Sequence, residues 1–254
     1  MTVGLAALLF AAGLMVGSFV GALAHRLPRG ESILGPRSKC PRCDAPIAAY
    51  DNVPVISWLI LRGRCRSCGE PISPRYPLVE LALGILYAVV YIVLEPDASR
   101  VGLGIAFVTM LAIITLTDLE RRVIPNPVLI AGTVVAVATV VPTDPDGLVE
   151  RVISAAAAGG LLLIAAIAYA GGMGMGDVKL AAVMGIYLGR AVAAALLVAF
   201  VAGALVGIVL LIRHGSEARK RAIPFGPFLA LGGFVGLLAG DELVDWYLDA
   251  FFRD

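Results

Sequence analysis

A chain of 254 residues that is 59% hydrophobic and 15% charged is far from the composition of a soluble domain, about 45–50% apolar and about 25% charged. The apolar residues come in long blocks, which puts the chain among multi-pass membrane proteins. A net charge of +1 says nothing about partners, and there is no nucleic-acid signature beyond scattered basic residues.

A membrane helix needs about 20 mostly apolar residues. Val3–Ala24 comes first. Arg26 and Arg29 follow it and no basic residue precedes it, so it reads as a retained anchor rather than a cleaved signal. Residues 25–77 form the one sizeable polar segment. Beyond it lie Leu78–Leu94, Val101–Thr117, Val128–Val141, Val152–Ala170, Ala191–Ile212 and Ile223–Ala239, with a shorter run at Val178–Leu188. The expectation is an all-α polytopic membrane protein of about eight transmembrane helices. It divides into a first helix at 1–24, a small cytoplasmic domain at 25–77, a transmembrane core at 78–240 and an external tail at 241–254. Lys and Arg concentrate on cytoplasmic loops. With the N-terminus outside, segments 25–77, 118–127, 171–179 and 213–222 lie inside. They carry sixteen basic residues, against four outside (Arg100, Arg151, Arg190 and Arg253).

The polar segment holds Cys40-Pro41-Arg42-Cys43, a spacer of 21 residues, and Cys65-Arg66-Ser67-Cys68. Two such C-x-x-C knuckles read as a structural four-thiolate zinc site, with Pro41, Gly63 and Gly69 suiting the turns. The alternatives are unligated thiols and two disulfides, the latter disfavoured in a cytosolic segment where thiols stay reduced. A stretch of about 50 residues builds little core, and a metal supplies the missing stability.

Two aspartates stand at helix edges. Asp118 ends the third helix, ahead of Leu119-Glu120-Arg121-Arg122-Val123-Ile124-Pro125-Asn126. Asp177 opens the short helix after Gly171, Gly172, Gly174 and Gly176. Two spans separate them, so both carboxylates face the cytoplasmic side at one depth. A carboxylate pair can share a proton, activate water and hydrogen-bond the developing oxyanion. The glycines read as permissive backbone beside a wet cavity. Other readings stay open: Asp177 as a helix cap, Asp118 paired with Arg121 or Arg122, or a divalent-metal site on both carboxylates. Lys179 is expected to pair with Asp177 or another carboxylate. Glu80 reads as a cavity wall, an interfacial carboxylate or an ion pair with Arg75. Pro224-Phe225-Gly226-Pro227 breaks the start of the last helix. No Ser/His/acid set is available, since His25 and His214 are the only histidines.

These residues resemble the bacterial type IV prepilin leader peptidase and N-methyltransferase family along the whole chain. The matching elements are Gly17-Ser18-Phe19, Arg26 to Ser32, Pro36-Arg37-Ser38, Tyr50 to Leu59, Arg62 to Cys65 and Pro71 to Glu80. They continue with Asp118 to Asn126, Gly174 to Lys179, and Pro224 to Phe228. The resemblance implies that Asp118 and Asp177 form an aspartyl dyad, with Gly174, Gly176 and Lys179 in its supporting loop. It implies substrates that are prepilins or pseudopilins, cut after a glycine at the cytoplasmic edge of the bacterial inner membrane. It also implies methylation of the new N-terminus with S-adenosylmethionine, a link between the cysteine domain and that second activity, and contact with pilus or secretion machinery. Gly21-Ala22 and His25 depart from the family pattern near that domain. The competing classes are a non-enzymatic assembly factor that docks through its zinc domain, and a small transporter. The latter suits neither carboxylates at one membrane edge nor the lack of an inverted repeat.

Overall fold

The computed structural model describes residues 2–32, 38–40, 42–168, 173–215 and 223–252. Pro36, Arg37, Pro41, Gly171, Gly172 and Arg253, all named above, lie outside them. The described residues form helices α1 (Thr2–Arg26), α2 (Ile56–Ile60), α3 (Arg75–Leu94), α4 (Ala98–Arg121), α5 (Asn126–Thr143), α6 (Leu148–Ala168), α7 (Met175–Leu188), α8 (Val192–His214) and α9 (Gly226–Phe251). No strand occurs among them, only two isolated antiparallel bridges.

Among the described residues, seven stretches are long and apolar enough to cross a membrane, and the sixth, Met175–His214, contains both α7 and α8. The chain is thus a multi-pass membrane protein, and its eight long helices fall on the eight apolar runs. Several run past the apolar block that announced them. Asp97 accepts the amides of Ser99 and Arg100 and starts α4 ahead of Val101. At its other end Arg122 takes a left-handed conformation (φ 55°) and stops the helix four residues after Asp118. The segment from Asp241 is helical as well, since α9 continues to Phe251. Charged residues end an apolar window without ending a helix.

Contacts divide the chain into two compact units, Met1–Glu95 and Pro96–Asp254. In the first unit α3 packs along α1 through small residues. A Cβ on Gly13 would fall 2.5 Å from the Leu83 carbonyl oxygen, and one on Gly17 would fall 2.6 Å from the Glu80 Cα. In lipid, close backbone approach of this kind drives helix association, because exclusion from water contributes nothing there.

In the second unit α7 is the central helix, packed by α4, α5, α6, α8 and α9. Leu180, Ala181 and Met184 are fully buried. Tyr187 stacks on Phe107 at 4.6 Å between centroids and donates its hydroxyl to the Gly132 carbonyl at 2.7 Å. Arg151 of α6 donates to the last carbonyls of α7, Ile186 (3.0 Å) and Tyr187 (2.7 Å). It fills the role of a cap at the end where carbonyls lack partners and positive charge is favoured. Gly189 (φ 57°) then breaks the chain between α7 and α8. One end of α7 is thereby anchored, and the other presents Asp177.

Candidate active site and metal centre

Asp118 is 6% exposed. Its Oδ2 accepts the backbone N–H of Gly226, the first residue of α9, at 2.8 Å. That amide belongs to the first turn of a helix, where N–H groups have no partner within the helix and favour a negative charge. A Cβ at position 226 would lie 2.7 Å from the same oxygen. Glycine is therefore required for the carboxylate to reach the amide. Beneath it, Thr117 is fully buried and turns its hydroxyl onto the carbonyls of Ile113 and Ile114. The recorded hydrogen-bond partner of the Asp118 carboxylate is thus a backbone amide 108 residues downstream, and the neighbouring Arg122 also acts on it through its charge.

Asp177 stands in the first turn of α7, three residues after the N-cap Gly174. It is not itself the cap. Its carboxylate lies against the Gly174 amide, the position from which a third-residue acid reaches back to the cap N–H. The charges of Asp177 and Asp118 are close enough to interact directly. The structure brings the two carboxylates together from the C-terminal end of α4 and the N-terminal end of α7.

The Gly-x-Gly-Asp spacing has a steric origin. Gly174 has an ordinary extended backbone (φ −79°, ψ 143°) and Gly176 is helical, so neither residue uses the conformational freedom expected of it. A Cβ on Gly176 would fall 2.9 Å from the Ile124 side chain, and one on Gly174 would fall 3.3 Å from the Asp177 Oδ2. Small size lets α7 begin directly against the segment that follows Asp118. Lys179 is exposed and donates to the Asn126 side-chain oxygen at 3.0 Å. It ties α7 to the start of α5 instead of pairing with Asp177.

In the first unit the four cysteines are free thiols whose sulfurs all lie within 4.8 Å of one another, with Cys40 and Cys68 at 3.8 Å. The disulfide alternative is not what the structure contains. Four sulfurs about 2.3 Å from a tetrahedral ion sit about 3.8 Å apart, so the cluster can hold a metal ion. The backbone amides of Cys68 and Ser67 point at the Cys65 sulfur and pull its thiol down, while the neighbouring cysteines push the Cys68 thiol up.

The two knuckles are copies of one turn, offset by 25 residues. The Cys40 N–H donates to Ala45 and the Asp44 N–H to Cys40. The Cys65 N–H donates to Glu70 and the Gly69 N–H to Cys65. Asp44 (φ 56°) and Gly69 (φ 72°) hold the same left-handed position. Ile47 donates to Ser38 as Ile72 does to Gly63. The sequence signal of this repeat is C-x-x-C-x-x-P-I at 40–47 and again at 65–72.

The intervening residues join this centre to α3. Arg66 forms a two-pronged ion pair with Asp51 at 2.7 and 2.8 Å. Trp58 lies over Gly63 and donates its indole N–H to Ile72 at 3.0 Å. Val55 donates its N–H to the Glu80 carboxylate at 2.7 Å.

Comparison with known proteins follows the same division. Residues 11–94 match the bacterial peptidase A24 N-terminal domain, and residues 105–211 match the type IV leader peptidase family. A prepilin leader peptidase/N-methyltransferase of Aeromonas hydrophila is 34% identical over 96% of this chain and 94% of its own length. One from Bacillus subtilis is 34% identical over 95% and 97%. One from Myxococcus xanthus is 37% identical over 85% of this chain and 66% of its own length. No solved structure matches. With relatives of this identity along nearly the whole chain, the protein belongs to the type IV leader peptidase family.

Proposed function

We propose that the protein cleaves the leader peptides of type IV prepilins or pseudopilins through Asp118 and Asp177, and then N-methylates the new N-terminus. The supporting observation is the meeting of these two carboxylates, one of them aimed by the Gly226 amide. The pair carries one proton between them. The ionised member takes a proton from water, the water adds to the scissile carbonyl, and the protonated member donates a hydrogen bond to the oxyanion as it forms. Breakdown returns the proton to the departing amine. Gly174 and Gly176 keep the rim of the site low enough for an extended substrate, and Lys179 holds α7 on Asn126 while it binds.

The four cysteines are proposed to hold a structural zinc ion, whose closed thiolate shell leaves no open position for hydrolysis. S-adenosylmethionine is the proposed methyl donor, on the strength of the relatives' N-methyltransferase name. The count of basic residues supports an inner-membrane orientation with the N-terminus outside and both sites cytoplasmic. Residues 25–77 are proposed as the metal-binding insertion, and the second unit as the peptidase body.

The test is cleavage of a model prepilin in membranes by wild type, Asp118→Asn and Asp177→Asn, with product masses recorded. Cleavage by wild type alone is expected, with a product one methylene heavier when the methyl donor is supplied. Full cleavage by either variant would overturn the dyad and reopen the reading of a non-enzymatic assembly factor.

A further inference from the structure

Among the described residues, the buried carboxylates are Asp118 and Glu80. The dyad uses the first and leaves the second without a role. Glu80 lies in α3 and is 8% exposed. The backbone of α1 presses on it, since a Cβ on Gly17 would meet both its Cα and its amide nitrogen. Among the described residues its carboxylate has one recorded partner, the Val55 N–H, and no Lys or Arg pairs with it.

Val55 is held in an unusual state to make that bond. It has φ 61° and ψ −52°, and Ile56 donates back to the Pro54 carbonyl at 2.6 Å. This is the tight three-residue turn of positive φ, which is rare, and a β-branched residue in it is an outlier. Backbone of this kind is strained and persists where its surroundings over-determine it.

A single neutral amide does not require a full negative charge as its acceptor. A glutamine oxygen would satisfy it without the cost of burying an ion. A buried carboxylate whose one recorded partner is a single amide keeps acceptor capacity for a cationic ligand. The segment that carries Val55 also exposes Val53, Ile56, Leu59 and Ile60, an apolar surface beside the carboxylate. A ligand that is cationic at one end and apolar beyond it fits both features. Leader cleavage makes such a molecule, because it frees an α-ammonium at the head of an apolar segment.

We propose that Glu80 receives the amine that is methylated: its carboxylate binds the new α-ammonium and takes one proton from it. This rests on the N-methyltransferase reading above. Proton transfer turns ammonium and carboxylate into a neutral amine and a carboxylic acid, which a low-dielectric site favours over two buried ions. The nitrogen lone pair then forms the N–C bond as the C–S bond of the sulfonium donor breaks. The products are a methylated ammonium and a neutral thioether, and Glu80 returns its proton to water.

The experiment uses the full chain in nanodiscs of phosphatidylglycerol, which lacks an amine. The probe is a peptide that begins at the mature N-terminus, with either a free or an acetylated amine, and no methyl donor is present. Wild type should bind the free amine about tenfold more tightly, as for the loss of one desolvated charge contact. Glu80→Gln should bind both forms alike, and Glu80→Asp should restore part of the preference. With methyl donor, Glu80→Gln should still cleave prepilin within about twofold of wild type. Its methylation rate should fall by about 10²-fold, the low end of a general-base contribution.

A preserved preference or a wild-type methylation rate in Glu80→Gln would overturn the proposal. So would loss of cleavage and methylation together, which would mark a structural role. Competition by phosphatidylethanolamine would assign the carboxylate to a lipid headgroup instead. A wild-type protein that cleaves but never methylates would overturn the methyltransferase reading itself, and the proposal with it.

Discussion

Both units bury one carboxylate against a backbone amide, and they do so in opposite ways. Asp118 meets an unstrained amide in the first turn of α9, and a second carboxylate, Asp177, stands within its electrostatic reach. Glu80 meets an amide in a strained turn, and no second acid is recorded with it. The first setting suits a shared proton and an activated water. The second suits a single charge that waits for a cation. The scaffolds differ in the same sense. The second unit is a helical bundle packed around α7, whereas the polar part of the first unit has two matched knuckles around a four-cysteine cluster that could hold a metal ion.

The comparison can be broken in four ways, from the largest expected effect to the smallest. Gly226→Ala introduces a Cβ 2.7 Å from the Asp118 Oδ2. Displacing a reacting carboxylate by about 1 Å costs about 10²-fold in rate, so prepilin cleavage should collapse while methylation of pre-cleaved pilin continues. Cys40→Ser opens the thiolate cluster. Mass spectrometry under native conditions should show loss of one zinc ion per chain, and limited proteolysis should cut within 38–73 well before wild type. The peptidase unit should retain cleavage within about tenfold, since its residues share no ligand with the metal centre.

Arg151→Leu removes two donors from the last turn of α7. It should destabilise the second unit by about 1–3 kcal/mol, the cost of leaving buried carbonyls unpaired, and should lower kcat several-fold as Asp177 loosens. Val55→Gly should act the other way and only on the first unit. Relief of positive-φ strain should stabilise it by about 1 kcal/mol and raise its unfolding temperature by a few degrees, with cleavage unchanged. A drop in unfolding temperature would contradict the strain argument.

The apolar runs announced every long helix, because a membrane segment must satisfy its backbone internally and fill its length with apolar side chains. They did not announce helix ends. Asp241–Phe251 reads as a polar tail, yet nothing in it breaks a helix. The thiolate cluster was legible from spacing alone, and the carboxylate pair from spacing and topology together.

What stayed hidden depends on contacts between distant residues. The Gly226 amide serves a carboxylate 108 residues away, and in the sequence the glycine reads only as part of a helix break. In the sequence Gly174 and Gly176 read as permissive backbone, whereas the structure uses their small size against Asp177 and Ile124. Lys179 looked like a partner for Asp177 by proximity along the chain and finds Asn126 across the bundle instead. Glu80 could be read several ways because its partner, a main-chain N–H in a strained turn, has no sequence signature.

The central claim is that the carboxylate pair of the second unit performs cleavage and nothing else. The direct measurement gives Asp118→Asn and Asp177→Asn two substrates in parallel, an intact prepilin and a pilin already cut, each with the methyl donor, and records product masses. Both variants should leave the prepilin uncut and should still add one methylene to the cut pilin at near the wild-type rate. Cleavage by either variant would contradict the account of the dyad, and loss of methylation on the cut pilin would contradict the separation of the two activities.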